Sequence, residues 1–350
     1  MMGFQGATIV AVRYFMLVAL WLGPVTRGFA DEPLPEEKSS TAATETGQAD
    51  ESYEFEKLTD VEYAKHGQVA LLADLFVPKQ QGSYPGVLVV HGGAWRHGSK
   101  ERCGRVAAEL VKRGYSVMAI NYRLAPQHKF PAQLEDCVAA LTWFHQNATK
   151  CKVDTTRIGA WGYSAGGQLV ALLGATLPKE RAGENGAAEG KSADVDESAT
   201  RKAAGFRLQA VVAGGAPTDF RNWLPAESKI LTYWLGQTRA ERPDLYEQAS
   251  PRHYSSEDDP PMFFFHGEND AIVPSKFGRA MVADLKSLGV HAVFHLVPDK
   301  GHVLARFDQA AQLASFAFLD QQLKAEEQQD NKSNDRTDGP QDRSRTTDEE

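Results

Sequence analysis

Basic charge, cysteine and long apolar runs are all in short supply in this 350-residue sequence. Lys and Arg number 38 against 46 Asp and Glu, a net charge of −8. So acidic a chain has no electrostatic footprint for a nucleic-acid backbone, and no nucleic acid is expected as a partner. The three cysteines, Cys103, Cys137 and Cys151, have no metal-site spacing. No zinc or calcium ligand pattern occurs elsewhere, and no Gly-rich loop runs into Lys and Ser/Thr to cradle a phosphate. The residues therefore imply no cofactor and no metal. No internal repeat is present. What remains, with 42% hydrophobic and 24% charged residues, is ordinary globular composition. It is long enough for one large α/β domain or two smaller ones.

The single membrane-seeking run lies at the start. Residues 1–30 contain no acid, and Arg13 precedes the apolar stretch 14–22, which is followed by Gly28, Phe29 and Ala30. An apolar stretch this short falls well below the roughly 20 residues that span a bilayer. With small residues at 28 and 30, it reads as a secretory signal peptide cut after Ala30. Its loss removes Arg13 and Arg27 and no acid, taking the net charge from −8 to −10. No stable membrane association is then expected, and the localisation would be periplasmic or extracellular. Residues 31–52 form an acidic segment whose only large aliphatic side chain is Leu34, and residues 325–350 have no aromatic or branched aliphatic side chain. Both are expected to be disordered. The folded unit then spans 53–324, with a flexible surface insertion over 178–204 in which Val195 is the only larger apolar residue. An odd number of cysteines in an exported chain leaves at least one thiol free or paired with another chain. A Cys137 to Cys151 bridge and small buried residues on helices both remain open.

Within 53–324 the pattern alternates. Residues 68–77 read as a half-exposed strand ending at Pro78, and 86–90 as a strand buried on both faces. Then follow a helix near 101–113, a strand 116–120, a helix 131–146, a strand 157–162 and a helix 164–176. Beyond the insertion come a strand 208–213, a mixed region 220–261, a strand 262–266, a helix 275–288, a strand 291–297 and a last helix about 303–323. Strands alternating with crossover helices imply an α/β class with a mostly parallel sheet covered on both faces. Ligands of such sheets bind beyond the carboxyl ends of the strands.

That edge is where the chemistry-bearing residues fall. Gly162-Tyr163-Ser164-Ala165-Gly166 follows an apolar strand and opens a small-residue helix. A hydroxyl becomes a usable nucleophile in a tight strand-to-helix turn, where glycines remove clashing side chains and a base reaches Oγ. His91-Gly92-Gly93-Ala94-Trp95 directly follows the strand 86–90. The N–H groups of Gly92, Gly93 and Ala165 are candidate donors to the oxyanion that acyl transfer creates. His91 reads as a structural residue of that loop. Trp95 and Tyr163 are the candidate substrate contacts, with an indole filling the floor beneath the loop as the alternative for Trp95. The order Ser, acid, His places the partners downstream. Asp270 lies in Gly267-Glu268-Asn269-Asp270 after one strand, and His302 in Lys300-Gly301-His302 after the next. Asp270 would orient and stabilise the imidazole that takes the Ser164 proton. Rival acids are Glu268, Asp219, Asp258 and Asp259, whereas His266, His291 and His295 read as structural.

These motifs, in this order, resemble the α/β-hydrolase superfamily. More narrowly, Asn121-Tyr122-Arg123-Leu124-Ala125-Pro126, Phe130-Pro131-Ala132 and Leu134-Glu135-Asp136 look like the bacterial hormone-sensitive-lipase-like carboxylesterases and the related acetylxylan/feruloyl esterases. The former group usually reads His-Gly-Gly-Gly and Gly-Asp-Ser-Ala-Gly. Ala94 and Tyr163 depart from it and shift the match toward the acetylxylan/feruloyl group. The resemblance implies an α/β-hydrolase fold with a small cap insertion over 220–261, a covalent acyl-enzyme, and neither metal nor diffusible cofactor. The stretch 123–126 reads as scaffold. Cap aromatics Trp223, Tyr233 and Trp234 would hold an acyl or sugar moiety or simply pack the cap down.

The expected function is hydrolysis of carboxylic esters by a serine carboxylesterase, on a small-molecule or carbohydrate ester, with acetyl or feruloyl decorations of polysaccharides among the candidates. Two alternatives stay open. One is a prolyl-peptidase-like serine peptidase, whose relatives carry a large gating domain. The other is a non-catalytic binding module on a hydrolase fold. Neither acyl length nor oligomeric state follows from the residues.

Overall fold

A computed structural model describes residues 52–177, 206–223 and 228–324. The expected signal peptide, most of the acidic segment, the 178–204 insertion and the C-terminal tail lie outside the described residues, as do residues 224–227 of the cap region.

Eight strands form one sheet: β1 (Phe55–His66), β2 (Val69–Pro78), β3 (Tyr84–Val90), β4 (Ser116–Ile120), β5 (Val153–Tyr163), β6 (Ala210–Gly214), β7 (Met262–Gly267) and β8 (Ala292–Val297). Their spatial order is β1-β2-β4-β3-β5-β6-β7-β8. β2 pairs antiparallel with β1 and β4, and every other pairing is parallel. The helices are α1 (Gly104–Lys112), α2 (Ala132–Gln146), α3 (Ala148–Cys151), α4 (Ala165–Thr176), α5 (Lys229–Leu235), α6 (Pro243–Gln248), α7 (Lys276–Ser287), α8 (His302–Ala305) and α9 (Gln309–Leu323). Short 3-10 turns cover Lys100–Cys103 and Pro251–Tyr254.

Burial on both faces explains the continuous apolar runs of the central strands. Leu88 and Val90 of β3 join Leu141 and Phe144 of α2 and Leu169 and Leu172 of α4 in one core layer. Val87 and Val89 point the other way, into a layer with Leu110 and Val111 of α1 and Phe316 and Leu319 of α9. The chain steps from β3 to β4 on one side and returns to β5 on the other. The β3/β5 boundary is therefore the switch point, outside whose carboxyl ends a crevice forms.

Several elements differ from the sequence-based expectation. β1 was not expected at all: of its 12 residues only Tyr63 is buried, so it carries no apolar alternation. Glu56, Lys57, Asp60, Glu62 and Lys65 lie along it at the sheet edge, where charge discourages further pairing. β5 starts four residues before position 157, through a register shift opposite Pro85 and Gly86. The helix expected near 101–113 is split into a 3-10 turn and α1. Its start is pinned by buried Lys100, whose Nζ meets Asp74 at 2.6 Å and Asp60 at 2.9 Å. The last helix is also two, because Asp308 caps α9 by accepting the Ala311 N–H at 2.9 Å. Cys103, Cys137 and Cys151 are all free and buried, which decides against a Cys137 to Cys151 bridge. Burial pushes the Cys103 thiol up to about 12 and that of Cys151 to about 11, so neither is a reactive thiolate.

Candidate active site

β5 delivers Ser164 into a turn that no relaxed residue would choose. Its φ is 58° and ψ −122°, and its N–H is held by the Gly214 carbonyl at 2.7 Å. The glycines around it are required by contact distance. A Cβ at Gly162 would lie 2.3 Å from the Gly166 carbonyl oxygen, and one at Gly166 would lie 2.1 Å from that of Val90. Strand, turn and helix therefore pack closely enough that Oγ projects from the carboxyl edge of the sheet.

The two expected partners meet it there. His302 opens α8, and its Nε2 lies 2.9 Å from Ser164 Oγ. Its Nδ1 lies 2.6 Å from Asp270 Oδ2, so the carboxylate fixes the tautomer with a proton on Nδ1 and leaves Nε2 as the acceptor facing the hydroxyl. Asp270 Oδ1 is itself held by the N–H groups of Ile272 at 2.9 Å and Val273 at 2.8 Å. Asp270 is buried, which shields this pair from water. The rival acids do other work. Asp219 is clamped by Arg221, Glu268 accepts the Asp299 N–H at 3.1 Å, and Asp259 accepts from Ser256 at 3.1 Å. Asp258 contributes its carbonyl to Arg207 at 2.8 Å.

The loop after β3 lies against the serine turn. A Cβ at Gly92 would meet the Tyr163 carbonyl oxygen at 2.6 Å and Ser164 Cβ at 3.2 Å. Gly93 has φ +136°, and Ala94 and Trp95 both take left-handed backbone, with φ of 52° and 58°. Among the described residues no protein acceptor takes the N–H of Gly92, Gly93 or Ala165. The loop is braced from behind. His91 stacks on Tyr122 with ring centroids 4.2 Å apart, donates from Nδ1 to the Gly92 carbonyl at 3.0 Å, and its own carbonyl accepts the Tyr122 hydroxyl at 3.0 Å. Burial drives the His91 imidazole down to about 4, so it stays neutral and serves as a structural part of the loop, as its sequence context suggested. Arg123 is scaffold as expected. Its backbone N–H reaches buried Asp136 at 2.7 Å and its Nε reaches the same carboxylate at 2.8 Å.

Both expected substrate contacts are corrected. Trp95 is buried at 2% exposure, stacked on Trp234 at 3.8 Å, with its indole N–H donated to Gln168 Oε1 at 2.9 Å. It fills the floor under the loop. Tyr163 is buried at 3% and its hydroxyl donates to the His302 carbonyl at 2.5 Å, so it faces the protein, as alternation along β5 requires when Ser164 faces out. The cap aromatics divide. Trp234 packs down and donates to Gln133 at 2.9 Å, while Tyr233 stays exposed with the Arg96 guanidinium 4.4 Å from its ring centre. Sequence reasoning missed the exposed apolar side chains Ile272, Val303, Leu304 and Phe307, close in sequence to Asp270 or His302, two of them on α8. Among the described residues no group of three or more His, Cys, Asp and Glu side chains is placed to hold a metal ion.

Known proteins resemble this chain in sequence and fold. Over 252 residues the chain is 29% identical to Esterase LipC of Mycobacterium tuberculosis, covering 69% of this chain and 59% of that protein. Over 237 residues it is 30% identical to Esterase LipQ of the same organism, covering 66% and 52%. The chain thus spans between about half and three fifths of the length of these curated relatives. A truncated carbohydrate esterase from gut microbiota superposes with a TM-score of 0.65 and 26% identity, over 80% of this chain and 100% of that one. The Est2 esterase of Thermogutta terrifontis shares the fold, with a TM-score of 0.57 and 23% identity, over 77% and 91%. The BD-FAE family model matches residues 73–285, more than half of the chain and including β3, the serine turn and Asp270. On this fold, sheet order and family match, the chain is an α/β-hydrolase and belongs to the BD-FAE family.

Proposed function

We propose that this protein is a serine carboxylesterase in which Ser164, His302 and Asp270 form the catalytic triad. The observation that carries the reading is the unbroken relay from Ser164 Oγ through the imidazole to a buried carboxylate, at 2.9 and 2.6 Å.

In the reaction Ser164 Oγ attacks the ester carbonyl carbon while His302 Nε2 takes its proton. The charge that develops on the carbonyl oxygen meets the N–H groups of Gly92, Gly93 and Ala165, which are held in place before the substrate arrives. Collapse breaks the bond to the alcohol oxygen, and that oxygen leaves with the proton from Nε2. Water then attacks the acyl-enzyme carbon and gives its proton to Nε2. The second collapse frees the carboxylic acid and returns the proton to Oγ. Asp270 keeps the imidazole in one tautomer and faces its positive charge whenever it is protonated.

Acetyl or feruloyl esters on polysaccharides are the substrate class within this proposal, supported by the fold and sequence likeness to a carbohydrate esterase. We place the activity outside the cytoplasm, on the strength of the acid-free residues 1–30 with their short apolar run. Among the described residues no helix is long and apolar enough to cross a membrane.

The experiment is hydrolysis of p-nitrophenyl acetate, butyrate and octanoate by the protein beside Ser164→Ala. Turnover by the wild type with loss of several orders of magnitude in the variant supports the esterase reading. Two folded but equally inactive proteins, inert also on acetylated xylan, would overturn it in favour of a peptidase or binding module, and peptide substrates separate those two.

A further inference from the structure

Three groups fix His302, and only two of them belong to the proton relay. Asp270 and Ser164 hold the ring from either side. The third is the hydroxyl of Tyr163, which donates to the backbone carbonyl of His302 itself at 2.5 Å. We infer that Tyr163 is a positioning residue, a strut that sets the distance between nucleophile and base; this rests on the triad reading above.

The argument is geometric. Tyr163 immediately precedes Ser164, so a single side chain ties the residue beside the nucleophile to the residue that carries the base, across 139 positions of sequence. The covalent path from Ser164 to the anchoring hydroxyl runs through the last residue of β5 and an aromatic ring with only two side-chain torsions, a stiff connection. The ring is clamped. It packs at 5.6 Å on Phe265, and a Cβ at Gly214 or Gly215 would lie 2.6 or 2.8 Å from it. Gly215 also borders the imidazole, since the same added Cβ would be 3.1 Å from His302 Cε1. The Tyr163 and His302 rings lie 5.3 Å apart, so ring and base share one wall.

The carbonyl that Tyr163 engages belongs to the first residue of α8, a helix of a single turn. A helix this short cannot hold its own first residue in place. Burial raises the Tyr163 phenol well above its ordinary value, and the nearby Asp270 charge adds to this, so the hydroxyl keeps its proton and remains a donor. A phenylalanine would fill the same space yet leave the His302 carbonyl without this partner. Catalysis needs the Nε2 to Oγ separation kept while the imidazole gains and loses charge, so the loss should fall on the chemical step.

The test is Tyr163→Phe, with Tyr115→Phe as control. Tyr115 is another buried phenol, bonded at 2.9 Å to Asp320 on the helix side of the fold. In Y163F, kcat on p-nitrophenyl acetate should fall roughly tenfold, the scale of one lost hydrogen bond, with KM unchanged. Phosphonylation of Ser164 by a phosphonate probe should slow in parallel, because that step also needs the base. Y115F should lower Tm by a similar amount and leave kcat alone. p-Aminophenylalanine introduced at position 163 keeps a para donor and should recover most of the lost kcat, and it also carries the test if Y163F does not fold. Wild-type kcat in Y163F, a raised KM at constant kcat, or an equal loss in Y115F would each overturn the inference. An inactive wild type would instead remove the esterase reading beneath it.

Discussion

Ser164 holds a conformation that the chain keeps only because Gly162, Gly166 and the Gly214 carbonyl surround it, and its hydroxyl is already within 2.9 Å of a base. Replacing Asp270 with Asn preserves the size of the side chain while offering the imidazole an amide that favours the wrong tautomer. In Asp270→Asn, kcat on short esters should drop by on the order of 10⁴, with little change in KM, and steady-state kinetics near neutral pH would read it. A loss below about tenfold would mean that another carboxylate orients His302. That Ser164, Asp270 and His302 would meet was legible in the sequence, because each follows a strand that ends at the same sheet edge and the order Ser, acid, His leaves few choices. The roles of Trp95 and Tyr163 were not. Whether an aromatic side chain points at substrate or into the core depends on backbone direction at one residue, and at Trp95 that direction comes from a left-handed turn with no unique residue signature.

At the scale of elements, the loop after β3 and the turn after β5 are two halves of one surface. Gly166 stands between them, and a methyl group there collides with the Val90 and His91 carbonyl oxygens at 2.1 and 2.7 Å. Gly166→Ala should lower both Tm and kcat, because the strand-to-loop junction and the N–H groups of Gly92, Gly93 and Ala165 must shift together; thermal melts beside ester turnover would show whether the two losses travel as a pair. Asp136, fully buried against Arg123, braces the Tyr122 to Leu124 segment beneath the same loop. Asp136→Leu removes one of the two carboxylates on Arg123, which keeps Glu135 Oε2 at 2.7 Å, and should cost about 1.5–3 kcal/mol of unfolding free energy by urea titration. The central strands and most helices were readable from apolar runs and crossover spacing. β1 was not, because an edge strand buries almost nothing and its pairing comes from the neighbour's backbone. The breaks at Gly104 and Asp308 were also missed, since apolar periodicity continues across each while a buried ion pair or a side-chain cap ends the helix.

For the molecule as a whole, two buried imidazoles make stability depend on pH. Burial holds His91 and His266 down at about 4, so both are neutral in the folded chain and acquire protons more readily once it unfolds. Their contribution is complete above the unfolded value of about 6.5 and is lost as pH falls from there toward 4, at on the order of 1.4 kcal/mol per pH unit for each ring. Tm should therefore decline steadily between pH 7 and 5, and His266→Asn should make that decline shallower; an unchanged slope would exclude His266 as a source. The relay itself has a consequence for how the molecule comes into being. Ser164 and His302 are 138 residues apart, and the base arrives only with β8 and α8. If Ser164 and His302 act as proposed, turnover requires β8 and α8 to be docked against the serine turn, so the appearance of activity on refolding would report that long-range assembly.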